Sequence, residues 1–135
     1  MTEMTLDATL DNLNTVLEFI DGTLESMDCP MRTQTQIDIA VEEIFVNIAS
    51  YAYAPGTGPA TIRLEPCSNP ASLTITFMDS GVPYDPLKKD DPDITLSAEE
   101  RPIGGLGIFM VKKSMDEMTY VYENGMNVLS IRKNL

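Results

Sequence analysis

The sequence predicts an α+β fold, a two-layer α/β sandwich in which helices cover one face of a mostly antiparallel sheet. Three observations carry that expectation. Residues 9–53 hold two successive helical periodicities, residues 61–79 switch to alternation, and Asn124-Gly125 separates two further alternating runs. Strands joined by short turns to their chain neighbours pair antiparallel, and amphipathic helices then have one sheet face on which to bury their stripes.

Met4 and Leu6, set between Glu3, Thr5 and Asp7, alternate as a short edge strand does. From Thr9 as the expected N-cap, apolar residues recur at Leu10, Leu13, Leu17, Ile20, Leu24 and Met27 in steps of three and four, which is an amphipathic helix. Asp28-Cys29-Pro30 stops it. Thr33 and Gln36 have capping-box spacing and predict the start of a second helix, running to about Tyr53 before Pro55-Gly56. On that helix Ile37, Val41, Ile44, Ile48 and Ala52 form one stripe, with Ile39 and Val46 nearly opposite, so burial on two sides is expected.

Ile62 and Leu64 then oppose Arg63 and Glu65 on a strand, and Pro66 to Pro70 supplies a turn. Leu73, Ile75 and Phe77 mark the buried face of the next strand. Val82 to Ile103, with Pro83, Pro86, Pro92 and Pro102, is weakly patterned and reads as a lid. Gly104-Gly105-Leu106-Gly107 opens a third helix carrying Ile108, Val111 and Met115 at helical spacing. Met118–Tyr122 and Val128–Ile131 close the chain as a hairpin.

At 135 residues the chain has the length of one domain. A net charge of −12, from 21 acidic against nine basic residues, excludes the clustered cations that nucleic acid and anionic membranes require. The absence of histidine excludes Ser-His and Cys-His catalysis and His-ligated zinc, leaving a carboxylate, Lys or Tyr as any catalytic base. Cys29 and Cys67 are expected to stay reduced as packing residues. Without a basic leader or a run of roughly 18 apolar residues, a soluble cytoplasmic protein is expected.

Two polar groups interrupt the apolar pattern. Glu43 and Asn47 stand one turn apart on the second helix, between its stripes, where an ionised group needs a partner. The pair either binds a metal or ligand, or hydrogen-bonds nearby backbone or a basic side chain. Counting on by two from Phe77, Asp79 continues a core register and is followed by Ser80-Gly81, where backbone can approach a ligand; the plainer role for it is to cap the turn. The glycine-rich start of the third helix offers backbone N–H groups to an anion, or is a tight turn with no ligand. Taken together, a carboxylate able to accept from the adenine amine, an amide oxygen for Mg²⁺ and a phosphate-sized glycine turn describe an ATP site.

In that order, Glu43-x-x-x-Asn47, Asp79-x-Gly81 and Gly104-Gly105-Leu106-Gly107 resemble the nucleotide-binding boxes of the gyrase, heat-shock chaperone, histidine-kinase and mismatch-repair ATPase superfamily. The runs from Asp79 to Pro86 and from Arg101 to Ile108 look like those of the anti-sigma-factor serine/threonine kinases, and the similarity extends from about residue 3 to the C-terminus. The resemblance implies a Bergerat, histidine-kinase-like ATPase fold. It implies Asn47 as the magnesium ligand, Asp79 as the adenine reader, and Gly105 and Gly107 as part of the phosphate-contacting lid hinge, with Gly81, Gly104 and Leu106 as further nucleotide-binding residues of the same boxes. It further implies Glu43 as catalytic base; Arg101, close to the glycine motif, is a candidate for steadying the γ-phosphate. The implied substrate is a STAS-domain anti-sigma-factor antagonist, with a sigma factor as a second partner and a homodimer as the family's habit.

Three departures stand out. Pro83 replaces a second glycine after Asp-x-Gly, Tyr51 stands where many members carry histidine, and Arg101 is out of strict register with the basic residue of some relatives. A nucleotide-gated binding module of a partner-switching system, without kinase activity, is the alternative function. A detached histidine-kinase catalytic domain is disfavoured, because Glu43 stands where such domains commonly place asparagine.

Overall fold

Alternation builds strands β1 (Thr2–Asp7), β2 (Pro59–Cys67), β3 (Ser72–Asp79), β4 (Glu117–Glu123) and β5 (Met126–Asn134), seen in a computed structural model that describes residues 1–88 and 106–135. They form one sheet of order β1-β2-β3-β5-β4, every neighbouring pair antiparallel. Helices α1 (Leu13–Ser26), α2 (Met31–Asn47) and α3 (Leu106–Ser114) complete the two-layer α+β architecture that the sequence predicts.

Ile62 and Leu64 of β2, Ile75 and Phe77 of β3 and Ile131 of β5 present one buried surface. Against it lie Val16, Ile20 and Leu24 of α1, Ile37, Val41, Ile44 and Phe45 of α2, and Val111 of α3. Removing side chains of this size from water stabilises the fold by about 1.5–3 kcal/mol each, so this contact surface holds the two layers together. β3 is flanked on both sides and is buried along most of its length, whereas β1, at the edge, keeps only Met4 and Leu6 partly covered.

Turn chemistry closes the elements. Asp28 takes φ 56° after α1, and the Cys29 N–H reaches back to the Leu24 carbonyl at 3.0 Å, satisfying an end carbonyl of the helix. Asn124 (φ 54°) and Gly125 (φ 75°) make the left-handed two-residue turn that an Asn-Gly hairpin requires.

Four local expectations are corrected. Thr9 precedes a short 3₁₀ turn (Leu10–Asn12) and makes no side-chain cap bond, so Leu10 is exposed and α1 proper starts at Leu13. α2 starts at Met31 directly after Pro30, two residues ahead of the Thr33–Gln36 box, because the extended backbone of Pro30 already delivers the chain into the helix. α2 is buried on one side only: Ile39 is 59% exposed and Val46 half-buried. Cys29 packs against the core, but Cys67 is exposed at the end of β2; both are free thiols. Beyond Asn47 the helix widens into a π turn (Ile48–Ala52), which carries the helical path almost to the expected Tyr53.

Candidate functional site

Where β3 ends beneath the last turns of α2, an apolar cavity of about 140 Å³ opens. Ile44, Phe77, Ile108 and Leu129 form apolar walls, and Asn47, Asp79 and Asn127 bring polar groups into it. Pro83 and Tyr51 also line it; the tyrosine is largely exposed.

Asp79 keeps the core register of Leu73, Ile75 and Phe77 and is only 5% exposed. Its Oδ1 accepts the Gly81 N–H at 2.9 Å and the Asn127 Nδ2 at 2.9 Å. The turn-capping role is therefore real, and it leaves Oδ2 without a donor among the described residues. A carboxylate fixed through one oxygen presents the other as an acceptor for a ligand's N–H. Gly81 is required here because a Cβ would collide with the Ala52 backbone, whose carbonyl accepts the Val82 N–H at 2.9 Å. Tyr53 ties the same corner together: its hydroxyl donates to the Pro59 carbonyl and accepts the Ser80 N–H at 2.8 Å.

Asn127 is a site residue that sequence reading missed. It faces Asp79 across the β3–β5 ladder and is buried. Its Nδ2 donates to Asp79 Oδ1 and to the Val82 carbonyl, both at 2.9 Å, while its Oδ1 accepts from the Tyr84 N–H at 3.1 Å and from the Tyr120 hydroxyl. Both donors and both acceptor lone pairs of the amide are thereby used, which fixes its orientation. Burial pushes the Tyr120 phenol up, which keeps it a donor at neutral pH. The signal was present in sequence: Asn127, Leu129 and Ile131 alternate, just as Asp79 continues the alternation of β3.

Glu43 and Asn47 lie one turn apart on α2, as their spacing requires, with Asn47 Nδ2 3.4 Å from Glu43 Oε1. They face different spaces. Asn47 lines the cavity beside Asp79, whereas Glu43 lines a groove of about 420 Å³ between α2 and α3. Gly107, in the first turn of α3, packs directly on the Glu43 carboxylate, and a Cβ there would overlap it. The glycine brings the start of α3 up against the base-like carboxylate. Leu106 begins α3, and Arg101, Gly104 and Gly105 lie outside the described residues. Lys113, one of two lysines in the last turn of α3, holds its Nζ 5.5 Å from the Phe109 ring centre rather than facing the cavity.

An antiparallel sheet with helices on one face, and a buried carboxylate and an amide opening into one apolar cavity at a strand end, define an α+β nucleotide-domain class. The chain belongs to the histidine kinase-like ATPase domain family, whose model matches residues 6–133. It is 27% identical over 100 residues to the serine/threonine-protein kinase BtrW of Bordetella bronchiseptica, covering 74% of this chain and 70% of that protein. It is 32% identical over 95 residues to the serine-protein kinase RsbW of Bacillus thuringiensis, and equally to RsbW of Bacillus anthracis, covering 67% of this chain. The match spans 58% of the length of those Bacillus relatives. The resemblance to anti-sigma-factor serine/threonine kinases stands, and with it membership of an ATP-binding, kinase-type family. No helix among the described residues is long and apolar enough to cross a membrane.

Proposed function

We propose that this chain is an ATP-dependent protein serine/threonine kinase of the anti-sigma regulatory type, a single histidine-kinase-like domain that phosphorylates a STAS-domain anti-sigma-factor antagonist. One observation carries the kinase reading: Glu43 sits one turn from Asn47 but opens onto a different space, so a carboxylate borders the nucleotide cavity from outside it.

In this reading the adenine amine donates to Asp79 Oδ2, and the apolar walls Ile44, Phe77 and Leu129 cover the base. The Asn47 amide oxygen is a hard ligand suited to Mg²⁺. Among the described residues no group of three or more acidic, Cys or His side chains forms a metal cage, which fits an ion that takes its remaining ligands from phosphates and water. When bound, Mg²⁺ supplies charge neutralisation for the phosphates of a strongly acidic protein. The substrate serine or threonine oxygen bonds to the γ-phosphorus as the bond to the β-phosphate oxygen breaks and ADP leaves. Glu43 accepts the hydroxyl proton. Such a base works mainly through its position. Gly107 supports that position by leaving room for the carboxylate. The unphosphorylated antagonist and a sigma factor then compete for the kinase in the cytoplasm.

Incubation with labelled ATP, Mg²⁺ and a cognate STAS-domain protein tests the proposal. Label is expected on a serine or threonine of the partner, and Glu43→Gln is expected to lower transfer by about 10²–10⁴-fold while ATP still binds. Tight ATP and partner binding with no label on the partner would instead identify a nucleotide-gated binding module.

A further inference from the structure

The second helix is expected to be covered on two sides, and one of those sides is bare. Ile39 is 59% exposed on α2, and Met110, across from it on α3, is 54% exposed. Both line the groove of about 420 Å³ that also contains Glu43 and Gly107, with Gln36 and Ser114 adding neutral polar groups. Side chains of this size are left in water at an energetic cost, and a contiguous apolar rim marks a contact surface more often than scattered single residues do.

The floor of the groove says what the contact is for. Among the described residues, Glu43 is the one charged side chain lining it. A carboxylate in a groove whose other described lining residues are neutral favours a hydroxyl or N–H donor carried on an apolar segment. The order of groups is also informative. Asp79 and Asn47 line the nucleotide cavity, and Glu43 lies one helical turn beyond Asn47 on the groove side. Phosphoryl transfer places the attacking and leaving oxygens roughly in line, so the acceptor enters from the side of the γ-phosphate away from the nucleotide.

Resting on the kinase reading above, we propose that the α2–α3 groove is the docking surface for the phosphoacceptor segment of the protein substrate. That segment is a stretch of polypeptide with apolar side chains next to its serine or threonine. The apolar residues seat between Ile39 and Met110, and the seating carries the hydroxyl to Glu43. The nucleotide and the acceptor thus have separate entrances that meet at the Glu43–Asn47 turn.

The test uses the full chain and the STAS-domain protein of the transfer assay. Ile39→Glu and Met110→Glu are surface changes away from the nucleotide cavity, so folding and affinity for a fluorescent ATP analogue are expected to remain within about twofold of the parent. The KM for the STAS protein is expected to rise about tenfold or more, as it does when an apolar anchor of an interface is lost. Variants that phosphorylate the partner with unchanged KM overturn the groove assignment and leave the kinase reading intact. A photo-crosslinking benzoylphenylalanine in place of Ile39 gives a readout independent of transfer. Capture of the segment that contains the phosphorylated residue supports the assignment, and capture of a remote segment overturns it. If the parent protein transfers no phosphate yet crosslinks the partner at this position, the docking surface survives and the kinase reading falls. If it neither transfers nor crosslinks, both fall.

Discussion

Asp79 at the end of β3 and Asp38 on α2 are both acids withdrawn from water in the same small protein, and they are treated in opposite ways. Asp79 receives a backbone N–H and the Asn127 amide on one oxygen, and the residue lines an apolar cavity. Asp38 meets another acid, Asp21 of α1, and the Oδ1 atoms of both are buried without a hydrogen-bond donor. Such a pair makes a mutual hydrogen bond only when one carboxyl keeps its proton. Accordingly burial, followed by the hydrogen bond with Asp21 and the charge of Asp21, pushes Asp38 up to about 7. Donors convert a buried carboxylate into a directed acceptor; their absence converts one into a proton-holding contact between helices. The first arrangement suits a ligand, while the second couples α1 to α2 through pH.

The sharpest way to break the contrast is to remove the acceptor. Asp79→Asn keeps the shape, but it weakens the acceptor at Oδ2 and places an amide N–H against donors. A lost hydrogen bond to a charged group costs about 1.5–3 kcal/mol, so ATP affinity measured by calorimetry is expected to fall about 10- to 100-fold. Unchanged affinity would mean that Asp79 does not read the base. A smaller effect is expected on the opposite strand. Asn127→Leu strips one donor from Asp79 Oδ1 and removes the partner that the Val82 carbonyl and the Tyr120 hydroxyl have in the Asn127 amide. Unsatisfied buried groups cost about 1–3 kcal/mol, so thermal unfolding is expected several degrees lower, with weaker ATP binding alongside. A variant of unchanged Tm would show that water replaces the amide at no cost.

These two residues also show how far the sequence could be read. Asp79 was legible because period-two counting from Phe77 carried it into the core face. Asn127 obeys the same counting from Leu129, but starting the last strand at Val128 assigned it to the turn. The Asn124-Gly125 pair forms the whole turn, so pairing resumes at once with Glu123 opposite Met126. The three helices and the sheet were legible from periodicity. The exposure of Ile39 was not, since a helical stripe shows that a face is apolar and says nothing about which element covers it. Nor was Asp21–Asp38, because contact between positions 17 apart on two helices depends on how those helices cross. The pairing of Gly107 with Glu43 is equally a product of α2–α3 packing.

The smallest expected effect sharpens the other half of the contrast. Asp38 binds its proton more tightly in the folded chain than in the unfolded one, where an ordinary aspartate titrates near 3.8. Its stabilising contribution is therefore fully present below about pH 3.8 and is lost as pH rises through about 7. Above that, two negative charges face one another across the α1–α2 contact, with Cys29 beside them. Burial and the Asp38 charge push the Cys29 thiol up, which opposes its ionising to a further negative charge at this contact. Asp38→Asn supplies an N–H to Asp21 and removes one of the charges. At pH 8 the variant is expected to unfold about 2 °C higher than the parent, an effect of about 0.5 kcal/mol because both carboxyls are partly screened by solvent. The gap should close between pH 7 and pH 5 in parallel thermal melts, as the parent recovers its shared proton. A gap that stays constant across that range would mean that the gain comes from packing and not from the Asp21–Asp38 proton, and the two buried acids would then differ in partners but not in protonation.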